Sequence, residues 1–102
     1  MDEMMPDHFQ VELSAEMPLF VIGVVSELVD IPVWTLRRLD EMGIVCPERL
    51  NKKTRCYSQK QVKTLSYIHF LMEEKNVNLS GVKIILEMWD TDEEEKKGRT
   101  RK

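Results

Sequence analysis

Two short apolar patterns of helical period lie between Val21 and Leu39, and Pro32 falls between them. Val21, Val24, Val25, Leu28 and Val29 recur at helical spacing, which predicts a first helix from Ile22 to Val29. One continuous helix is excluded, because Pro32 drives Ile31 away from helical angles. Asp30 stands at the exit, where it tolerates left-handed geometry better than most residues. A second helix is predicted from Val33. Leu36 and Leu39 would face inward, with Trp34, Arg37, Arg38 and Glu41 on the outer arc. Gly43 would end this helix by taking the left-handed position after its cap.

The pattern then changes. Ile44-Val45-Cys46-Pro47 predicts a short strand and Arg55-Cys56-Tyr57 a second, joined by the polar loop Glu48 to Thr54. This is a hairpin with more than a two-residue turn. Ser58 and Gln61 have the spacing of a capping box, so a third helix should open there and run to Glu74. Its apolar stripe is Val62, Leu65, Ile68 and Leu71 or Met72. After Lys75-Asn76-Val77, Asn78 can cap a fourth helix that buries Val82, Ile85, Leu86 and Trp89. The expected fold is mainly α, with one domain over residues 18–89. Residues 1–17 have no clear period, and 90–102 hold no aliphatic or aromatic side chain. Such segments bury too little to offset their ordering entropy, so both are expected to be mobile tails.

Charge is distributed unevenly. The net charge is −3, yet residues 1–32 hold seven acids and no Lys or Arg, whereas residues 33–63 hold eight bases against three acids. A local charge of +5 marks the face that would meet a polyanion.

Other chemistries find little support. Cys46 and Cys56 form no CxxC pair, and His8 and His69 are the other soft ligands, so no metal site is expected. The two cysteines read as small semi-buried hydrophobes on neighbouring strands. A cross-hairpin disulfide is geometrically conceivable, but without a secretory pattern a reducing cytoplasm is expected. No run approaches the roughly 20 apolar residues of a membrane span. No catalytic set and no phosphate-cradling glycine loop occur, so neither an enzyme nor a cofactor is expected.

With the elements placed, residues 20–88 resemble the DNA-binding domain of the MerR family of bacterial transcription regulators. The matching strings are Ile22-Gly23-Val24-Val25-Ser26-Glu27-Leu28, Thr35-Leu36-Arg37-Arg38, Gly43-Ile44-Val45-Cys46-Pro47-Glu48-Arg49 and Arg55-Cys56-Tyr57-Ser58. Pro18-Leu19-Phe20-Val21-Ile22 and Asn76-Val77-Asn78-Leu79-Ser80-Gly81-Val82-Lys83 look most like its heat-shock repressor HspR and glutamine-synthetase repressor GlnR types. The resemblance implies a winged helix-turn-helix of four helices and a two-stranded wing, binding double-stranded DNA, with repression the expected role. There are departures. Leu39 replaces a usual Tyr that anchors phosphate, and Asp30 and Pro32 replace the usual turn glycine and hydroxyls, which weakens the second helix's N-cap. After Trp89 no apolar heptad positions follow, so the family's paired coiled-coil helix is missing or replaced. No effector pocket or metal loop is expected.

The candidate DNA-binding residues are Trp34, Thr35, Arg37, Arg38, Arg49, Lys52, Lys53, Arg55 and Tyr57. An Arg fork can hold guanine O6 and N7 or clamp a phosphate. The resemblance assigns Arg37 to the major groove and Arg38 to the adjacent backbone. Either could instead pair with Asp40 or Glu41 on a solvated face. Trp34 could lie on sugar or a thymine methyl, or pack on the wing or a neighbouring subunit. Arg55 and Tyr57 are two apart on a strand, so both should face one phosphate ridge. Lys52 and Lys53 could be contacts or solubilising charges. Lys60 and Lys63 open the third helix, whose N-terminus can itself attract phosphate. Expected partners are duplex DNA, further copies of the chain as a dimer or cooperating on repeated sites, and a chaperone co-repressor. The rival reading is a MerR-like adaptor that binds chaperones or co-chaperones and not DNA.

Overall fold

The computed structural model describes residues 14–89. The C-terminal tail expectation, and the N-terminal one up to residue 13, lie outside the described residues. Strand β1 (Pro18–Val21) leads into helix α1 (Ile22–Val29), then α2 (Val33–Glu41), β2 (Glu48–Leu50), β3 (Thr54–Ser58) and α3 (Gln59–Glu74). A fourth helix, α4, covers residues 79–89.

The break between α1 and α2 is built as the residues require. Asp30 takes φ 59°, and its N–H donates to the Ser26 carbonyl. The Ser26 hydroxyl donates to the Ile31 carbonyl at 2.6 Å. Helix α2 has no side-chain N-cap. The Pro32 carbonyl accepts from the Thr35 and Leu36 amides at 3.0 Å. At the other end Gly43 adopts φ 76°. Its N–H donates to Asp40 O at 3.0 Å, and that of Ile44 to Leu39 O at 2.9 Å, a Schellman closure. A Cβ at Gly43 would meet nothing within 4 Å, so the only cost of Gly43→Ala is backbone strain. Denaturant unfolding should show a loss of about 1–2 kcal/mol.

The hairpin is displaced from its predicted position. Ile44 to Pro47 is not a strand, and β2 starts at Glu48. The Ile44 and Val45 amides are spent on Leu39 O, while the Cys46 carbonyl accepts from Gln61 Nε2 at 2.9 Å. Pro47 has no N–H, so this stretch cannot build a ladder. Cys46 is therefore exposed and off the sheet, Cys56 is buried on β3, and both are free. The loop shrinks to residues 51–53, with Asn51 and Lys52 at φ 51° and 63°. Positive φ at both central residues matches the twist of the flanking strands.

A third strand, absent from the sequence expectation, completes an antiparallel sheet of order β1-β3-β2. Phe20 pairs with Tyr57 and Val21 with Cys56, so β3 is the central strand. Helix α3 opens with the capping box: Ser58 Oγ accepts from the Gln61 amide at 3.1 Å, and Gln61 Oε1 accepts from the Ser58 amide at 2.9 Å. Asn78 Oδ1 caps α4 by accepting from the Gly81 amide at 2.9 Å.

The core gathers Val25, Val29, Leu36, Leu39, Val45, Tyr57, Leu65, Ile68, Leu71, Val82 and Leu86. Two apolar expectations change. Val24 and Leu28 are exposed, because only the Val25 and Val29 edge of α1 meets the core. Trp89 is also largely exposed and instead lies edge-on against Tyr67, with ring centroids 5.1 Å apart.

Candidate nucleic-acid interface

Helix α2 and the β2–β3 wing are joined by one carboxylate. Asp40 Oδ2 accepts from Arg55 Nε at 2.8 Å and from an Arg49 terminal nitrogen at 3.3 Å. The Asp40 and Arg55 side chains are 14% and 16% exposed, whereas Arg49 is 46% exposed. The inner pair is therefore shielded from solvent and the outer one is not. Asp40 follows Arg37 by one helical turn, so Arg37 rises from α2 on the flank nearest the wing. Among the described residues Arg37 is exposed and makes no ion pair or hydrogen bond. Arg38 is exposed and reaches Glu41 at 3.7 Å. That surface pair is worth under about 1 kcal/mol, so a phosphate can displace it.

Gln61 frames the same corner. Its side chain donates to the Cys46 carbonyl and accepts from the Ser58 amide, tying the segment after α2 to the β3–α3 junction. Desolvation and then the Asp40 carboxylate push the Cys46 thiol above its ordinary pKa. A groove of about 250 Å³ runs beside this corner, lined by Ile44, Val45, Cys46, Lys60, Gln61, Thr64, Leu86 and Trp89. Its lining is mixed and lacks a converging set of polar groups that would fix a small ligand.

The nine candidate residues divide into three groups by exposure. Trp34, Arg37 and Arg38 lie exposed on α2, and Arg49, Lys52 and Lys53 lie exposed on the wing. Trp34 is 70% exposed, so it does not pack on the wing. Arg55 is half-buried and already anchored by Asp40. Thr35 and Tyr57 are corrections: both are buried. Thr35 shares the inward side of α2 with Leu36 and Leu39. Tyr57 is 0% exposed because its side chain is part of the hydrophobic core, where α1 and α3 pack on β3. Its hydroxyl has no partner among the described residues, and burial pushes its pKa up to about 12. A side chain so placed cannot touch a phosphate.

At the α3 N-terminus two first-turn amides already have partners. The Lys60 amide donates to Ala15 O at 3.0 Å and the Gln61 amide is held by Ser58. Those donors are therefore not available to an anion. Asp40 is the residue joining α2 to the wing that the sequence reading missed, because it entered only as a possible partner for Arg37 or Arg38. An acid one turn past Arg37, inside the most basic stretch, was the available signal.

Two helices joined by a tight turn, followed by a hairpin pinned to the second, define a winged helix-turn-helix protein. The MerR HTH family of regulatory proteins matches residues 20–89. The chain belongs to that family. It is 34% identical over 77 residues to a Streptomyces coelicolor protein assigned as heat shock protein HspR, covering 76% of this chain and 51% of that relative. The chain thus spans about half the length of the curated relative it matches. Among the described residues no cluster of His, Cys, Asp or Glu could hold a metal, and no helix is long and apolar enough to cross a membrane.

Proposed function

We propose that this chain is a sequence-specific, double-stranded DNA-binding regulator of transcription of the HspR/GlnR-like kind, acting as a repressor in the cytoplasm. The observation that carries this reading is the Asp40 cluster, which holds the basic wing against the C-terminal end of α2, one turn past Arg37. Helix α2 enters the major groove, where Arg37 reads base edges and Trp34 lies on sugar or a thymine methyl. Arg38 takes the adjacent backbone. Arg49, Lys52 and Lys53 follow the phosphates toward the minor groove, with Arg55 supporting them from within.

Magnitude then sets the stoichiometry. About four phosphate contacts per domain give a salt slope near −3.6, roughly a hundredfold loss of affinity between 50 and 200 mM salt. One module of this size buries only about 600–1,000 Å² against DNA. Regulation therefore needs a dimer or cooperating copies on repeated sites, where linkage raises avidity. Selection of bound duplexes from a random library, followed by the mass of the complex on the winning site, tests this. Two or more copies on a site with repeated half-elements are expected. A tight single-copy complex at physiological salt would refute it.

A second reading rests on a separate observation. Val24 and Leu28 on α1, and Ile84 and Met88 on α4, are exposed apolar side chains that suit a protein partner. A chaperone bound there would act as co-repressor or, in an adaptor without DNA binding, as the main partner. The same selection discriminates, because an adaptor enriches no duplex.

A further inference from the structure

A carboxylate is out of place on a DNA-binding face. Charge alone says that Asp40 repels phosphate and that its removal should tighten binding. The geometry points to the opposite role: we propose that Asp40 is a positioning residue that sets sequence selectivity by fixing the wing's Arg55 and Arg49 relative to α2. The proposal rests on the DNA-binding reading above and names how that surface is held.

Three observations carry it. First, the Asp40–Arg55 bond is short, at 2.8 Å, and neither side chain is more than 16% exposed. A shielded pair of this kind resists salt better than a surface pair, so it persists under conditions that screen exposed charges. Second, Asp40 engages Arg55 through Nε. Both terminal nitrogens of that guanidinium make no bond among the described residues, and a planar fork anchored at one edge presents the other in a fixed direction. Third, the same oxygen receives Arg49 from the neighbouring wing strand. One atom of α2 thus holds both strands of the hairpin, and Arg37 sits one turn away on the same helix. Removing the carboxylate would leave two cations free to search for phosphate anywhere, which favours any duplex over the right one.

The test compares the full chain with its Asp40→Asn and Asp40→Glu variants. Each is titrated against the duplex selected by the wild type and against an unrelated duplex, over 50–200 mM salt. The proposal expects Asp40→Asn to weaken the selected complex by about tenfold, the size of one lost charge-assisted hydrogen bond. Binding to the unrelated duplex should hold or tighten, so the ratio of the two affinities collapses. Asp40→Glu should recover most of that ratio. If Asp40→Asn does not fold, Arg55→Lys supplies the same comparison. It keeps the charge but loses the Nε bond and the fork, and the ratio should again collapse. A wild-type ratio in Asp40→Asn or in Arg55→Lys, or equal tightening on both duplexes in Asp40→Asn, overturns the positioning role while leaving DNA binding intact. Failure of the wild type to select any duplex overturns both.

Discussion

Replacing Arg37 with Ala is expected to weaken the complex with the selected duplex by about ten- to a hundredfold, the range for losing a bidentate base contact. The fold should be untouched. Arg37 is exposed and makes no ion pair or hydrogen bond among the described residues, so its truncation leaves no buried group unpaired. Thermal unfolding should therefore match the wild type while specificity relaxes at one base position. Arg55→Ala would be a poorer probe. It removes the strut from Asp40 as well as a cation, and so mixes wing position with phosphate affinity. Arg38→Ala should act differently again. Its partner Glu41 is exposed, so its loss should lower affinity nearly uniformly across sequences and reduce the salt slope by about 1. Titration of each variant against matched and mismatched duplexes separates these outcomes.

Tyr57→Ala should cost about 3–5 kcal/mol of stability, the usual price of emptying a buried aromatic site. Much of the domain's stability would go with it, since small domains have only about 5–15 kcal/mol in all. Tyr57→Phe should behave in the opposite way. The phenolic oxygen is buried without a partner among the described residues, so deleting it removes an unsatisfied group and keeps the ring. Stability should hold or rise, and DNA affinity should not change. The pair also differs in pH dependence. The folded phenol ionises near pH 12 against an ordinary value of 10.0. A raised folded pKa means that stability is fully present below pH 10 and is lost as pH climbs toward about 12. The slope in that window is about 1.4 kcal/mol per pH unit for this group. Tyr57→Phe should lack this component. Chemical unfolding of the three proteins at pH 7 and pH 11 checks both claims. A loss of DNA affinity in Tyr57→Phe would restore the phenol to the interface.

The helices were legible because backbone chemistry marks their ends. Pro32 restricts the backbone while Asp30 and Gly43 accept the left-handed angles that close a helix, and α1 stops and α2 starts and stops where those residues place them. The capping box did the same for α3. Strand β1 was not legible. It is four residues long, opens with Pro18, and exists only because β3 lies beside it. The error at Tyr57 has a different cause. Alternation along a strand put Arg55 and Tyr57 on one face, which is sound for an edge strand with one solvated side. Helices α1 and α3 pack on β3 and Tyr57 joins the core, so Cys56, Tyr57 and Ser58 are all buried and period-two reasoning no longer separates inside from outside. Asp40 escaped for a related reason. Its partner Arg55 lies fifteen residues away, across a hairpin, and no local pattern reports such a pair. The exposed cations were easier, since long charged side chains on a helix arc or a hairpin tip have nowhere to be buried.

Amide chemical shifts followed during titration with the selected duplex report most directly where DNA lies on the protein. The account requires the largest changes at Trp34, Arg37 and Arg38 and along Arg49 to Lys53, with Val24, Leu28, Ile84 and Met88 left still. Changes centred on those four apolar positions, with the basic residues silent, would contradict it.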